Sequence, residues 1–139
     1  MSACIHRGRV AFHETDAAGI AHFTSYFLYA EEAETAALAS LGIFTEDSLR
    51  RYAFPRVQAG AEYSRSLRFH EEYEVHASLQ RLGNSSLHWL FDIRSHGESC
   101  ARVQLVSARR HAADGSAAPY SDVERDALQR LLARPEAQS

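Results

Sequence analysis

The chain has 139 residues and a net charge of −3, with 15 basic residues against 18 acidic ones; it suits a domain-sized core and lacks the cationic excess of a general nucleic-acid binder. Apolar residues are 45% and charged residues 24%, with seven Gly and three Pro, a balance that opposes disorder. Every basic residue is Arg, so neither a Schiff-base lysine nor a P-loop can form.

Cys4 and Cys100 make neither a disulfide framework nor a zinc site and read as buried or free thiols. The first residues contain no apolar stretch suited to a signal peptide, and no run approaches the ~18 apolar residues of a membrane span. The expectation is a cytoplasmic protein of one domain, residues 1–139, with no nucleic-acid or membrane partner.

In chain order, residues 5–13 alternate weakly and predict a first strand, and the polar stretch from Glu14 to Gly19 predicts a loop. From about Thr24 to Leu41 the residues Tyr26, Ala30, Ala33, Ala37 and Leu41 recur at helical spacing, with Glu31, Glu32 and Glu34 among them. Thr24 or Ser25 suits the start of this helix and Gly42 its stop. Its small buried residues predict close packing on a sheet. Thr45 to Tyr52 predicts a short second helix. Beyond it the period becomes two in four successive runs: Val57 to Tyr63, Tyr73 to Leu79, Leu87 to Ile93 and Ala101 to Ser107. Gly83-Asn84 and His96-Gly97-Glu98 supply hairpin connections. Ser121 and Glu124 have capping-box spacing ahead of Val123, Ala127, Leu128 and Leu131, which predicts a C-terminal helix. The fold class is therefore α+β: a five-stranded antiparallel sheet covered on one face by one long helix. The last four strands are expected as a meander.

The junction between the first strand and the long helix carries the main chemical signal. An acid in a loop just before a helix N-terminus lies near unpaired N–H groups and a partial positive charge. Those amides can hold a carbonyl oxygen as it becomes an oxyanion, while a carboxylate attacks the carbonyl or deprotonates water. On spacing alone, Asp16 equally suits a turn or a backbone cap. Three other readings are weaker. His13, Asp16 and His22 lack the spacing of a metal site, Cys100 has no local support as a nucleophile, and His88 suits a surface or interface.

The run Phe12-His-Glu-Thr-Asp16-Ala-Ala-Gly19-Ile20, with Tyr26 and Glu31 on the following helix, resembles the 4-hydroxybenzoyl-CoA thioesterase branch of the hotdog superfamily. Phe54-Pro55 through Tyr63, Leu67-Arg68-Phe69 and Leu82 to Ser86 are similar to that family's later blocks, so the likeness spans residues 7–110. Phe12 to Ile20 looks closest to bacterial thioesterases acting on 1,4-dihydroxy-2-naphthoyl-CoA and similar thioesters. The resemblance implies a hotdog fold, a homodimer assembling to a homotetramer, and hydrolysis of an acyl-CoA substrate with no metal or organic cofactor. It implies Asp16 as nucleophile or general base and the backbone N–H of Phe23 as the group that polarises the thioester carbonyl. Gly19, His22, Ser25 and Tyr26 would line the site, with Glu31 near the acyl group and Ser86 contributed across the dimer. Ser25, His22 and Ser66 stand where the family commonly has Asn, an aromatic residue and Pro. Arg81, Arg109 and Arg110 are the available substitutes for the family's phosphate-gripping bases, or else solvated strand-end arginines. Glu31 is the next candidate acid after Asp16, and a non-hydrolytic acyl-CoA or aromatic-ligand binding module is the alternative function.

Overall fold

The structure, a computed structural model, describes residues 4–133; the outermost positions of the expected 1–139 domain, 1–3 and 134–139, lie outside the described residues. In chain order the elements are β1 (Cys4–Arg9), a 3-10 turn (Phe12–Glu14), α1 (Ser25–Ser40), α2 (Glu46–Arg51), β2 (Tyr52–Ala53), β3 (Arg56–Tyr63), β4 (Glu72–Leu82), β5 (Ser86–Ser95), β6 (Glu98–Ala108), β7 (Arg110–His111), α3 (Asp122–Leu128) and a second 3-10 turn (Gln129–Leu131). The five long strands form one antiparallel sheet in the order β1-β4-β5-β6-β3, and β2 pairs with β7 in a small second sheet.

The period-two runs become the core. Tyr73, Val75, Ala77 and Leu79 of β4, Leu87, Trp89, Phe91 and Ile93 of β5, and Ala101, Val103 and Leu105 of β6 are all buried on one face. Each large apolar side chain among them contributes ~1.5–3 kcal/mol. α1 lies across this face, over β1, β4, β5 and β6. Its buried apolar residues, Tyr26, Tyr29, Ala30, Ala33, Ala37 and Leu38, form one stripe, and the alanines let its backbone approach the strands. At its end Gly42 adopts φ +76°, and Ile43 N–H donates to Leu38 O at 2.9 Å, which satisfies an orphan carbonyl. His96 and Gly97 both have positive φ, as a two-residue hairpin between β5 and β6 requires.

Four expectations change. β1 stops at Arg9, because Val10 N–H turns aside to Glu71 O and the Glu14 carboxylate accepts from Ala11 N–H; Phe12 and His13 lie in the 3-10 turn. β3 does not adjoin β4. It crosses to the far edge and pairs with β6, so only β4, β5 and β6 form a meander. A bulge between Arg56 and Gln58 and this edge position leave Val57 and Tyr63 exposed, where alternation predicted a covered face. In α3 the capping box of Ser121 and Glu124 forms as expected, yet Val123 is 81% exposed; Leu128 at the helix end and Leu131 in the 3-10 turn after it are the buried residues.

Candidate active site

Asp16 sits near the tip of a short two-armed loop. Thr15 bridges Ala21, Asp16 N–H donates to Ile20 O at 2.9 Å, and Gly19 N–H donates to Asp16 O at 3.0 Å. Gly19 takes φ +78°, which a side chain would strain. The Asp16 carboxylate is exposed, and its Oδ1 accepts from Ala18 N–H at 2.8 Å. That is an Asx turn, the structural alternative open from the sequence. Oδ2 has no donor among the described residues. The loop is stitched to the stretch before β4: Ala21 N–H donates to Leu67 O at 2.8 Å and Phe69 N–H to Gly19 O at 3.0 Å.

The second arm runs directly into α1. His22 N–H and Ser25 Oγ both donate to Glu14 O, at 2.8 and 2.7 Å. The Glu14 carboxylate accepts from Tyr29 OH at 3.0 Å, and burial, followed by this bond, pushes the Tyr29 hydroxyl far up, so it remains a donor. Thr24 occupies the cap position in αR geometry without capping by its side chain; its hydroxyl pairs with His22 Nδ1 at 2.7 Å. The Phe23 amide has no acceptor among the described residues, whereas its carbonyl accepts from Tyr63 OH at 2.8 Å. An exposed carboxylate and an uncapped helix terminus thus share one loop. Such a pair can supply a base or nucleophile and an oxyanion donor to a carbonyl substrate.

The remaining residues singled out from the sequence distribute unevenly. Tyr26 is buried, and its hydroxyl accepts from Leu67 N–H at 3.0 Å, so it anchors the stretch that holds the Asp16 loop. Glu31 is exposed and meets Arg56 Nη2 at 3.3 Å. Arg81 and Ser86 lie at the opposite end of β4 and β5, about 30 Å along the sheet from the Asp16 end at ~3.3 Å per residue. One chain does not bring them to Asp16. Arg109 is a correction: it is 2% exposed, forks onto both Glu124 oxygens at 2.9 Å, donates to Ala118 O and Pro119 O, and lies 4.1 Å from the rings of both Tyr52 and Tyr120. Four of its five N–H donors are taken, and burial keeps the guanidinium from a phosphate in solvent. Arg110 is exposed on β7, and burial pushes the Cys100 thiol up, away from thiolate chemistry. Among the described residues no three His, Cys, Asp or Glu side chains group as metal ligands.

Two features escape a linear reading. Glu14 ties the loop to α1 through both carboxylate and carbonyl, and nothing in its spacing marks it. Arg56 and Glu34 form a two-bonded ion pair with Glu34 only 2% exposed. Glu34 did carry a signal, since it falls inside the alanine stripe, where a charge requires a partner.

The thioesterase superfamily matches residues 18–101, more than half the chain, and the chain belongs to it. A putative esterase from Aquifex aeolicus is 41% identical over 80 residues, covering 56% of this chain and 62% of that protein, so the matched stretch spans less than two thirds of that relative. A 1,4-dihydroxy-2-naphthoyl-CoA hydrolase from Prochlorococcus marinus is 29% identical over 111 residues, 73% of each chain. The crystal structure of a 1,4-dihydroxy-2-naphthoyl-CoA thioesterase from Synechocystis superposes with a TM-score of 0.81 at 18% identity, covering 91% of this chain and 96% of the other. The fold is the hotdog fold, an antiparallel sheet wrapped around a central helix. No helix among the described residues is long and apolar enough to cross a membrane.

Proposed function

We propose that the chain is a cytoplasmic acyl-CoA thioesterase, a single domain that hydrolyses an aryl- or acyl-CoA thioester to a free acid and CoA. Asp16 acts as nucleophile or general base, and the Phe23 amide at the start of α1 holds the carbonyl oxygen. One observation carries the reading: an exposed carboxylate shares a braced hairpin with a backbone amide, and among the described residues neither its Oδ2 nor that amide has a hydrogen-bond partner. Along that hairpin Phe23 lies three pairing positions beyond the Asp16–Ile20 pair, about 10 Å at ~3.3 Å per residue. A carboxylate in near-attack contact at ~3–3.5 Å, a carbonyl bond and a hydrogen bond of ~2.9 Å, added to the Asp side chain's reach, span a similar distance. Gly19, His22, Ser25 and Tyr26 shape this end, with Glu31 two turns along α1.

Arg81 and Ser86 serve the site only from a second copy, so the working form is a homodimer that assembles to a homotetramer. What supports the dimer is β3, an edge strand with one side unpaired among the described residues, flanked by exposed Phe23, Leu28, Val57 and Tyr63. A symmetric pairing of two β3 edges covers both.

Replacing Asp16 with Asn tests the chemistry, with octanoyl-CoA and benzoyl-CoA assayed by a thiol reagent. The expected outcome is a fall in kcat of ~10²-fold or more with a smaller change in KM. The Asx turn supports a second reading, an acyl-CoA binding module in which Asp16 only shapes the loop. That reading expects no CoA release by either protein, with melting raised equally in both by the CoA ligand.

A further inference from the structure

A groove follows the exposed side of α1. Beside β3 a cleft of about 210 Å³ is lined by Phe27, Leu28, Ala59 and Leu105. Farther along α1 a second cleft of about 480 Å³ is walled by Phe44, Leu49, Tyr52 and Phe54. Glu31 and Arg56 line both clefts and stand between them. Arg56 is held in place from behind. Its two terminal nitrogens donate to the two oxygens of buried Glu34, and these bonds push its already high pKa further up. Its contact with Glu31 is longer, 3.3 Å, and the Glu31 side chain is 59% exposed. The barrier thus has one fixed half and one movable half.

We propose that the Arg56–Glu31 pair sets the length of acyl group the groove accepts, a reading that rests on acyl-CoA thioester hydrolysis at the Asp16 end. Eight residues of α1-direction chain separate Phe23 from Glu31, about 12 Å at ~1.5 Å per residue. An extended chain advances ~1.2 Å per bond, so about ten bonds, or two fused rings, fill the groove up to the pair. A longer acyl chain meets a guanidinium and a carboxylate. Placing methylenes there strips both groups of water and returns no hydrogen bond. The aromatic-walled cleft beyond, bordered by Thr35 on α1, is reached only when the pair parts.

The test uses S-octyl-CoA and S-dodecyl-CoA, thioethers that bind without being cleaved, titrated calorimetrically into the full chain, beside hydrolysis of octanoyl- and dodecanoyl-CoA. Each methylene buried in an apolar groove tightens binding ~4-fold. Wild-type protein is expected to gain nothing, or to lose affinity, from octyl to dodecyl. The double variant Glu34→Leu/Arg56→Leu, which replaces a buried ion pair by apolar volume, is expected to prefer dodecyl by at least ~30-fold. Leu49→Trp added to it is expected to cancel that gain by filling the far cleft. Where the double variant fails to fold, Glu31→Ala carries the test, with at least a ~5-fold gain for dodecyl over wild type, because removing an exposed carboxylate leaves the Arg56–Glu34 pair intact. An unchanged chain-length preference in the folded variants overturns the barrier while hydrolysis stands. Thioether binding with this preference but no cleavage of either thioester overturns hydrolysis and keeps the barrier. Binding of neither thioether overturns both.

Discussion

Glu71→Gln removes a charge from the stretch that carries the Asp16 loop. Glu71 accepts from Arg65 Nη2 and Ser95 Oγ at 2.7 Å each and from Arg68 N–H at 2.9 Å, and its carbonyl receives Val10 N–H. The flanking residues Leu67 and Phe69 bond directly to Ala21 and Gly19. Burial opposes the carboxylate's charge, but the Arg65 bond, the Arg68 amide and the Ser95 hydroxyl outweigh it and hold the pKa at about 2, against 4.5 when unperturbed. A folded value below the unfolded one means that the stabilisation is complete above about pH 5 and fades as pH falls toward 2. At ~1.4 kcal/mol per pH unit that gap corresponds to about 3 kcal/mol at neutral pH, and screening at a side chain 11% exposed trims it to about 2–3 kcal/mol. At pH 3 only about 1 kcal/mol remains. Urea unfolding of wild type and Glu71→Gln at both pH values measures the two differences, and amide exchange at Ala21 and Phe69 reports whether the loop opens with the mutation. Equal stability at pH 7, or a deficit that is the same at both pH values, refutes the electrostatic argument.

Gly8→Ala drives a methyl into the hydroxyl and ring of buried Tyr73, so it is expected to lower stability by ~1–3 kcal/mol, read from the thermal unfolding midpoint. Arg109→Met leaves Glu124 and two carbonyls without their donor and removes contact with two tyrosine rings; about 3 kcal/mol is expected, measured by urea unfolding. Val57→Glu puts a charge on the exposed side of β3, the edge that the proposed dimer buries. Sedimentation is expected to show monomer at concentrations where wild type is dimeric, with helix content by circular dichroism unchanged.

Much of the architecture was legible because burial imposes a period. The apolar residues of β4, β5 and β6 alternate, the alanine stripe of α1 repeats every three to four residues, and Ser121 with Glu124 announces the start of α3. Asp16 and the helix start were legible for a related reason, since adjacent segments of chain place them together. Alternation is silent about which strands adjoin, and β3 accordingly sits at the far edge rather than beside β4. The bulge after Arg56 turns that side chain inward to Glu34, 22 residues away in sequence, and no local pattern records such a meeting. Arg109 shows the same limit: a charged residue at a strand end reads as solvated until Tyr52, Tyr120 and Glu124 close around it.

The amino-acid order by itself determined the elements, the covered sheet face and the acidic loop leading into a helix, because each depends on residues near one another along the chain. Only the tertiary structure decided that Glu14 and Glu71 brace that loop, that Arg56 pairs with buried Glu34 and that Arg109 is enclosed. Those roles depend on desolvation and on partners from distant segments, and both exist only once the chain has packed.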